Sequence, residues 1–137
     1  MTASIDSNPQ PDRIVERADF VHTGPGTLAG RYLRRYWQPI YVSENLAKGK
    51  IVPIRILGEN LALYRGESGK PRVMANECPH RLTVLSTGWV EGETIRCRYH
   101  GWRYDESGQC VEQPAEAKPF SPKYQNWLRI PRTKLTA

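Results

Sequence analysis

Two short motifs carry the side chains of this sequence that are best suited to bind a metal. Cys78 and His80 form a Cys-x-His pair. Cys97 and His100 form a Cys-x-x-His pair, and sixteen residues separate the two pairs. Each pair is so short that its two side chains must converge from one tight loop. Two thiolates and two imidazoles can bind a single tetrahedral zinc ion. They can equally bind a two-iron, two-sulfide cluster, with both thiolates on one iron and both imidazoles on the other.

The order of the ligands within each pair favours the iron-sulfur cluster. Each loop of such a cluster site gives one Cys to the first iron and one His to the second, so both pairs must read Cys and then His. Zinc sites usually keep the two Cys together and place the two His on a following helix. No such helical His pair follows here, and Gly101 after His100 suits a backbone that passes close to a sulfide. A zinc site, or a chance spacing without metal, remains the alternative.

The two motifs lie within longer runs that read CPHR, CRYHGWRYD and GQCVEQPAE. These runs resemble the Rieske domain of ring-hydroxylating oxygenase α subunits. The opening TGPGTLAGRYLRRYWQPI is similar to the phthalate-dioxygenase-like branch of that family. The resemblance extends from about Asp19 to about Glu116. It departs from the family at Leu82, where a glycine commonly follows the arginine.

The resemblance implies a Rieske [2Fe-2S] cluster held by Cys78, His80, Cys97 and His100. Further residues are expected to shield the cluster or to offset its charge, namely Arg81, Gly101, Trp102 and Pro114. Among these, Trp102 would cover the loops, Pro114 would lie on a third loop, and the N–H of Gly101 would donate to sulfur. Thr83 and Tyr99 stand where respiratory Rieske proteins carry two further cysteines. We therefore expect a potential at the low end of the Rieske range of about −150 to +300 mV.

Counting the histidines limits what the sequence can do alone. Oxygenases of this family activate O₂ at a mononuclear Fe(II) held by two histidines and one carboxylate. The sequence has three histidines and two lie in the motifs, which leaves only His22. We therefore expect that iron in a catalytic domain missing from this sequence. The prediction is an electron-transfer domain that accepts electrons from a flavin or ferredoxin reductase and passes them to an oxygenase catalytic domain. A free-standing Rieske ferredoxin is the alternative, and a zinc-stabilised module is a weaker one.

The composition predicts a small, single-domain protein without a membrane-spanning helix. The 137 residues, 39% of them hydrophobic, suffice for one domain with a modest core. No signal peptide is visible, and no apolar run reaches the roughly 18–20 residues of a membrane helix. Three cysteines, two of them in the motifs, argue against a secreted disulfide scaffold and predict a cytoplasmic location. Cys110 is expected to be a small strand residue. The net charge of +6 comes without a nucleic-acid-binding motif, so we expect no nucleic acid partner.

The many short strands with closely spaced turns predict an all-β sandwich or small barrel, with a short N-terminal helix before it. The resemblance implies that this is the Rieske-type antiparallel fold with a cluster-binding subdomain. Residues 1–19 would form a flexible arm, residues 20–116 the Rieske domain, and residues 117–137 a divergent or truncated tail. Strands are expected at residues 40–42, 51–57, 61–64, 73–75, 94–98, 102–105 and 109–112. A last strand is predicted around Trp127, Leu128 and Ile130. Pro53 should place its strand at a sheet edge.

The helix is predicted to begin at the N-cap Thr27 and to end by Pro39. Its apolar face would comprise Leu28, Tyr32, Leu33, Tyr36 and Trp37. Its other face would be solvated and would comprise Arg31, Arg34 and Arg35. Turns are expected at residues 58–60, 66–69 and 105–108, the last of type I with a left-handed glycine.

Overall fold

The computed structural model describes residues 19–114, residue 116 and the backbone of residues 135–136. One α-helix, α1 (Leu28–Leu33), precedes the strands, and short 3₁₀ helices lie at Ser43–Asn45 and Leu85–Thr87. The described strands follow in chain order: β1 (Gln38–Pro39), β2 (Ile51–Ile56), β3 (Glu59–Arg65), β4 (Pro71–Ala75), β5 (Trp89–Glu91), β6 (Thr94–Arg96), β7 (Arg103–Tyr104), β8 (Cys110–Glu112) and β9 (Leu135–Thr136). The predicted all-β class is confirmed. In the part of the chain described, no helix is long and apolar enough to cross a membrane.

Strands β2, β3 and β4 form an antiparallel sheet in that order. Because β2 lies at the edge, the missing N–H of Pro53 is tolerated there, as predicted. The turn between β2 and β3 is shorter than expected and consists of Leu57 and Gly58, both with positive φ (48° and 80°). Two positive φ values are what a two-residue turn between twisted strands requires. Strand β3 is central and buries the side chains of residues 61–64.

Strands β5 to β8 form a second antiparallel sheet in chain order. The turn between β7 and β8 is the predicted one. Gly108 has a φ of 81°, and the Asp105 carboxylate accepts from the N–H groups of Ser107 (2.8 Å) and Gln109 (3.0 Å). Short side chains that bond to nearby backbone in this way favour turns. The loop between β6 and β7 carries Cys97 and His100, and the segment after β4 carries Cys78 and His80.

One buried cluster of side chains draws on both sheets and includes two of the motif cysteines. Its members are Ala62, Tyr64, Met74, Cys78, Leu85, Ile95, Cys97, Trp102, Tyr104 and Cys110. Between the sheets, the Tyr64 hydroxyl donates to the Glu93 carbonyl oxygen at 3.0 Å. Arg72 of β4 also forms an ion pair with Glu93 at 3.0 Å. The two sheets are therefore joined by apolar packing and by polar bonds to Glu93, in the turn between β5 and β6.

The N-cap of α1 is as predicted, since the Thr27 hydroxyl accepts from the Gly30 N–H at 3.0 Å. The arrangement of its faces is not. Four members of the predicted apolar face, Leu28, Tyr32, Tyr36 and Trp37, are between 49% and 60% exposed. The helix instead buries Ala29 and Gly30. A Cβ on Gly30 would lie 2.2 Å from the Gly24 carbonyl oxygen, so only glycine allows this close approach.

The prediction that Arg34 is solvated is wrong. Its guanidinium donates to the carbonyl oxygens of Thr23 and Leu57 at 3.0 Å each, and it pairs with the Glu59 carboxylate at 2.6 Å. These partners lie up to 25 residues away along the chain, beyond the reach of a helical-face argument. Arg34 therefore fastens α1 to the turn between β2 and β3.

The strand predicted at residues 40–42 is also misplaced. The structure forms β1 at Gln38–Pro39 and pairs it in parallel with β9. The helix ends at Leu33, well before Pro39, so the chain is already extended when it reaches the proline. The strand predicted around Trp127, Leu128 and Ile130 lies outside the described residues. The division into arm, domain and tail stays a prediction.

Candidate metal centre

The first motif loop leaves β4 through a buried asparagine. The Asn76 carbonyl oxygen accepts from the Leu85 N–H at 2.6 Å, and the Asn76 side chain accepts from the Ser86 N–H at 2.9 Å. Within the loop, the Cys78 N–H donates to the Thr83 carbonyl oxygen and the Leu82 N–H donates to the Cys78 carbonyl oxygen, both at 2.8 Å. Leu82 has a φ of +55°. Asn76 was not foreseen from the sequence, because a single asparagine outside a motif gives no signal of its partners.

The second motif loop joins β6 to β7. Here the Cys97 N–H donates to the Trp102 oxygen at 2.8 Å, and the Gly101 N–H donates to the Cys97 oxygen at 3.1 Å. Gly101 has a φ of +72°, and a Cβ added there would lie 3.3 Å from Pro114 Cγ. The expected bond from the Gly101 N–H to sulfur is therefore replaced by a bond to a carbonyl oxygen. Pro114 therefore lies close to this loop, and its role in shielding a cluster stays a prediction.

Both thiols are buried between the loops. A hydrogen bond from the Cys78 thiol, followed by the backbone N–H groups of Tyr99 and His100, lowers the pKa of Cys97 to about 6 against desolvation. The same thiol–thiol hydrogen bond, together with burial, raises the pKa of Cys78. A hydrogen bond from the backbone N–H of His80 lowers the pKa of Cys78, against these two effects. The pair therefore favours a negative charge centred on Cys97.

Tyr104 is a functional candidate that the sequence reasoning did not single out. Its hydroxyl lies 3.1 Å from the Cys78 sulfur, and both groups are buried. Burial, and then the hydrogen bond to Cys78, raise the pKa of Tyr104, so the phenol keeps its proton and can donate it to a thiolate. The available signal was the second tyrosine of the run CRYHGWRYD, directly before Asp105.

The two imidazoles lie together at the outer side of the loops. The ring centres of His80 and His100 are 4.6 Å apart. His80 is half-buried and stacks on Trp102, with 4.3 Å between ring centres and an interplanar angle of 2°. His100 is exposed, and the Tyr99 ring lies 3.8 Å from it. Trp102 itself is buried, so it covers one face of His80, in keeping with the apolar cover expected of it.

The charge state of His80 suits metal binding. Desolvation lowers its pKa, and the neighbouring His100 and Arg81 lower it further. The imidazole is therefore neutral near neutral pH, which is the form that binds metals. Arg81, next to His80 in the sequence, is exposed, so its positive charge acts on His80 from the protein surface.

The four motif side chains form two separate pairs. The thiols bond to each other in the interior, while the imidazoles meet near the surface. Among the residues that the structure describes, no three His, Cys, Asp or Glu side chains are grouped so as to hold a metal ion. A tetrahedral zinc site would require all four donors at one point. The arrangement resembles a site with a sulfur end and a nitrogen end.

This β fold with its two Cys/His loops defines a domain of the Rieske class. Residues 36–131 match the family model described as "Rieske [2Fe-2S] domain". The chain therefore belongs to the Rieske family, whose cofactor is a [2Fe-2S] cluster, and it corresponds to the Rieske domain of ring-hydroxylating oxygenase α subunits. The predicted family and cofactor are confirmed.

Individual relatives are larger oxygenase subunits. The chain is 43% identical over 109 residues to the 5,5'-dehydrodivanillate O-demethylase oxygenase subunit of Sphingobium sp., a match that covers 78% of this chain and 26% of the relative. It is 46% identical over 91 residues to the phenoxybenzoate dioxygenase subunit alpha of Ectopseudomonas oleovorans, covering 66% and 22%. The crystal structure of dicamba monooxygenase bound to dicamba superimposes with a TM-score of 0.64 and 32% identity, over 71% of this chain and 30% of that one. The chain thus spans about a quarter of the length of its relatives.

Proposed function

We propose that Cys78 and Cys97 bind one iron of a Rieske [2Fe-2S] cluster and that His80 and His100 bind the other. The domain then carries single electrons from a flavin or ferredoxin reductase to the mononuclear iron of an oxygenase catalytic domain. The observation that supports this best is the separation of buried, paired thiols from surface-facing, paired imidazoles. Two irons with different ligands need such a division, whereas one zinc ion does not.

The chemistry of the donor groups fits the cluster. Ligands must be thiolates and neutral imidazoles, and the lowered pKa values of Cys97 and His80 favour those forms. The pKa of Cys78 is raised by its hydrogen bond to Cys97, so this thiol must release its proton when the cluster binds. When bound, the cluster supplies a one-electron couple, and the two neutral imidazoles raise its potential above that of an all-thiolate cluster.

The chain's own residues place and protect that couple. The Tyr104 hydroxyl lies 3.1 Å from the Cys78 sulfur and can donate to its thiolate, and the N–H groups of Tyr99 and His100 are directed at the Cys97 sulfur. Trp102 covers one face of His80 and keeps water from it. His100 lies at the surface, so its ring edge gives the shortest path for an electron to leave the domain.

Membership of the Rieske family implies electron-transfer partners in general, and we infer the particular ones. The named relatives are oxygenase subunits, which supports an oxygenase catalytic domain as acceptor. Arg81 and Arg98 are exposed next to the motif histidines, which favours partners with acidic rims. The three cysteines are free thiols. Free thiols persist in the reducing cytoplasm, which supports a cytoplasmic location for the protein.

The test is anaerobic reconstitution of the purified chain with iron and sulfide. We expect equal amounts of iron and sulfide and a paramagnetic signal after one-electron reduction. Cys97→Ser should abolish both, whereas Cys110→Ser should keep both, because Cys110 is buried in β8 outside the two loops. Bound zinc without sulfide, or a colourless protein without a paramagnetic signal, would contradict the proposal.

A further inference from the structure

Arg96 lies directly before Cys97, and its side chain folds back over the loop that Cys97 begins. Its Nη1 group donates to the Gly101 carbonyl oxygen at 2.7 Å. Gly101 follows His100, so this bond spans the whole second motif loop from the outside. The two backbone bonds that close the same loop lie between Cys97 and Gly101 and between Cys97 and Trp102. Arg96 thus adds a side-chain clasp at the end of the loop that carries His100.

Two carboxylates, one from each outer strand of the second sheet, hold the guanidinium in place. Glu91 in β5 accepts from Nε at 2.7 Å and from Nη2 at 2.8 Å. Glu112 in β8 accepts from Nη1 at 3.2 Å and from Nη2 at 3.0 Å. Together with the bond to Gly101, all five N–H donors of an arginine are used. Both carboxylates are bound in the two-pronged manner that fixes orientation as well as distance.

A second arginine balances the charge of this group. Arg103 in β7 pairs with the Glu112 carboxylate at 3.0 Å and lies 3.9 Å from that of Glu91. The Trp89 indole N–H also donates to Glu91 at 2.7 Å. Isolated surface ion pairs contribute little, but the Arg96 side chain is only 16% exposed and belongs to a network of four charges. Its position is therefore determined from several directions at once.

We propose that Arg96 is a positioning residue for the metal centre: by holding the Gly101 carbonyl, it fixes the direction from which His100 reaches its iron. This inference rests on the proposed function, since it takes His100 as a ligand. Lysine cannot replace the arginine fully, because one ammonium group cannot reach the carbonyl and both carboxylates in a fixed plane. Partners that orient metal ligands commonly change metal affinity by about 10- to 100-fold when removed.

A neighbouring arginine provides the matched control. Arg72 in β4 is held by Glu93, with Nε at 3.1 Å and Nη2 at 3.0 Å, and also pairs with Glu106. Its side chain is 21% exposed, close to the value for Arg96. It therefore offers an ion-pair network of similar burial, in which the described bonds of the arginine go to Glu93 and Glu106 and not to a motif loop. A purely structural role for Arg96 predicts that the two arginines behave alike.

The experiment compares Arg96→Ala, Arg96→Lys and Arg72→Ala in the cluster-loaded protein. Measured quantities are the paramagnetic spectrum of the reduced form, the midpoint potential and the rate of cluster loss. We expect Arg96→Ala to broaden and shift the spectrum and to lose the cluster on the order of tenfold faster, with Arg96→Lys in between. Arg72→Ala should lower the thermal midpoint but keep the parent spectrum and potential.

An Arg96→Ala protein whose spectrum and potential match those of the parent would overturn the inference. If Arg96→Ala does not assemble, Glu112→Gln loosens the guanidinium without touching the loop. It should then shift the spectrum away from that of the parent in the same direction as Arg96→Lys, and an unchanged spectrum would again overturn the inference. The proposed function is judged separately, because its failure appears as the absence of any cluster signal in the parent protein.

Discussion

The two motif loops are close copies of one backbone conformation. In each, the cysteine N–H donates to the carbonyl five residues later, and the N–H four residues later donates back to the cysteine carbonyl, with lengths of 2.8 to 3.1 Å. In each, the residue four positions after the cysteine has positive φ. That residue is Leu82 (φ +55°) in the first loop and Gly101 (φ +72°) in the second.

The two loops differ in which residue adopts this positive φ. A left-handed residue other than glycine costs about 1–2 kcal/mol. The second loop has glycine at this position, where Pro114 also leaves little room for a Cβ, and it adds the Arg96 clasp. The first loop carries the strain on Leu82, whose side chain is 66% exposed and meets open space. The backbone hydrogen bonds therefore determine the conformation of each loop, while the side chain at the positive-φ position determines how much strain energy that conformation costs.

The largest expected effect comes from changing one ligand at a time. His80→Cys and His100→Cys each replace a neutral imidazole by a thiolate, which stabilises the oxidised cluster. The midpoint potential should fall by a few hundred mV, from the Rieske range towards the value of about −400 mV of all-thiolate clusters. Potentiometric titration of both variants checks this. Similar shifts would support equivalent roles for the two loops, and an unchanged potential in either variant would remove that histidine from the ligand set.

Gly101→Ala should be the most damaging change outside the ligands. The new Cβ adds about 1–2 kcal/mol of backbone strain and also meets Pro114 Cγ at 3.3 Å. Denaturant unfolding measures the loss of stability. Gly92→Ala is the control, because Gly92 also has positive φ (59°) but has no described atom within 4 Å of an added Cβ. Equal losses in the two variants would show that Pro114 does not press on the loop.

Tyr104→Phe should lower the midpoint potential. A hydroxyl that donates to the Cys78 sulfur favours the more negative, reduced form, so its removal favours the oxidised form. We expect a fall on the order of 60 mV, which corresponds to a tenfold change for one electron. Tyr64→Phe is the matched control, since Tyr64 is equally buried but its hydroxyl donates to the Glu93 carbonyl. A potential that stays constant in Tyr104→Phe would show that the hydroxyl does not act on the cluster.

The smallest effect is a gain in stability. Leu82→Gly relieves the strain but adds freedom to the unfolded chain, so the free energy of unfolding should rise by about 0.5 kcal/mol. Leu57→Gly removes a similar positive φ (48°) from a half-buried leucine and should give no gain, because packing is lost there. Urea unfolding of both variants compares them. A less stable Leu82→Gly protein would mean that the Leu82 side chain makes contacts that offset its strain.

Local patterns in the sequence predicted a large part of this fold and site. The turn at residues 105–108, the Thr27 cap and the edge position of Pro53 all depend on residues within a few positions of one another. The ligand pairs rest on equally short spacings and stay a prediction. Several of the misses involve partners far apart in the chain. Tyr104 meets Cys78 across 26 residues, Arg34 meets Glu59 across 25, and Arg96 meets Glu112 across 16. Such contacts exist only after the sheets have paired, so neither spacing nor periodicity reveals them.

The central claim is that thiolates hold one iron and imidazoles the other. Pulsed paramagnetic resonance on the reduced protein tests it most directly, because it detects nitrogen nuclei bonded to the iron that carries the extra electron. We expect couplings from two imidazole nitrogens, of which one disappears in His80→Cys and the other in His100→Cys. A reduced cluster without nitrogen couplings, or with couplings that survive both substitutions, would contradict it.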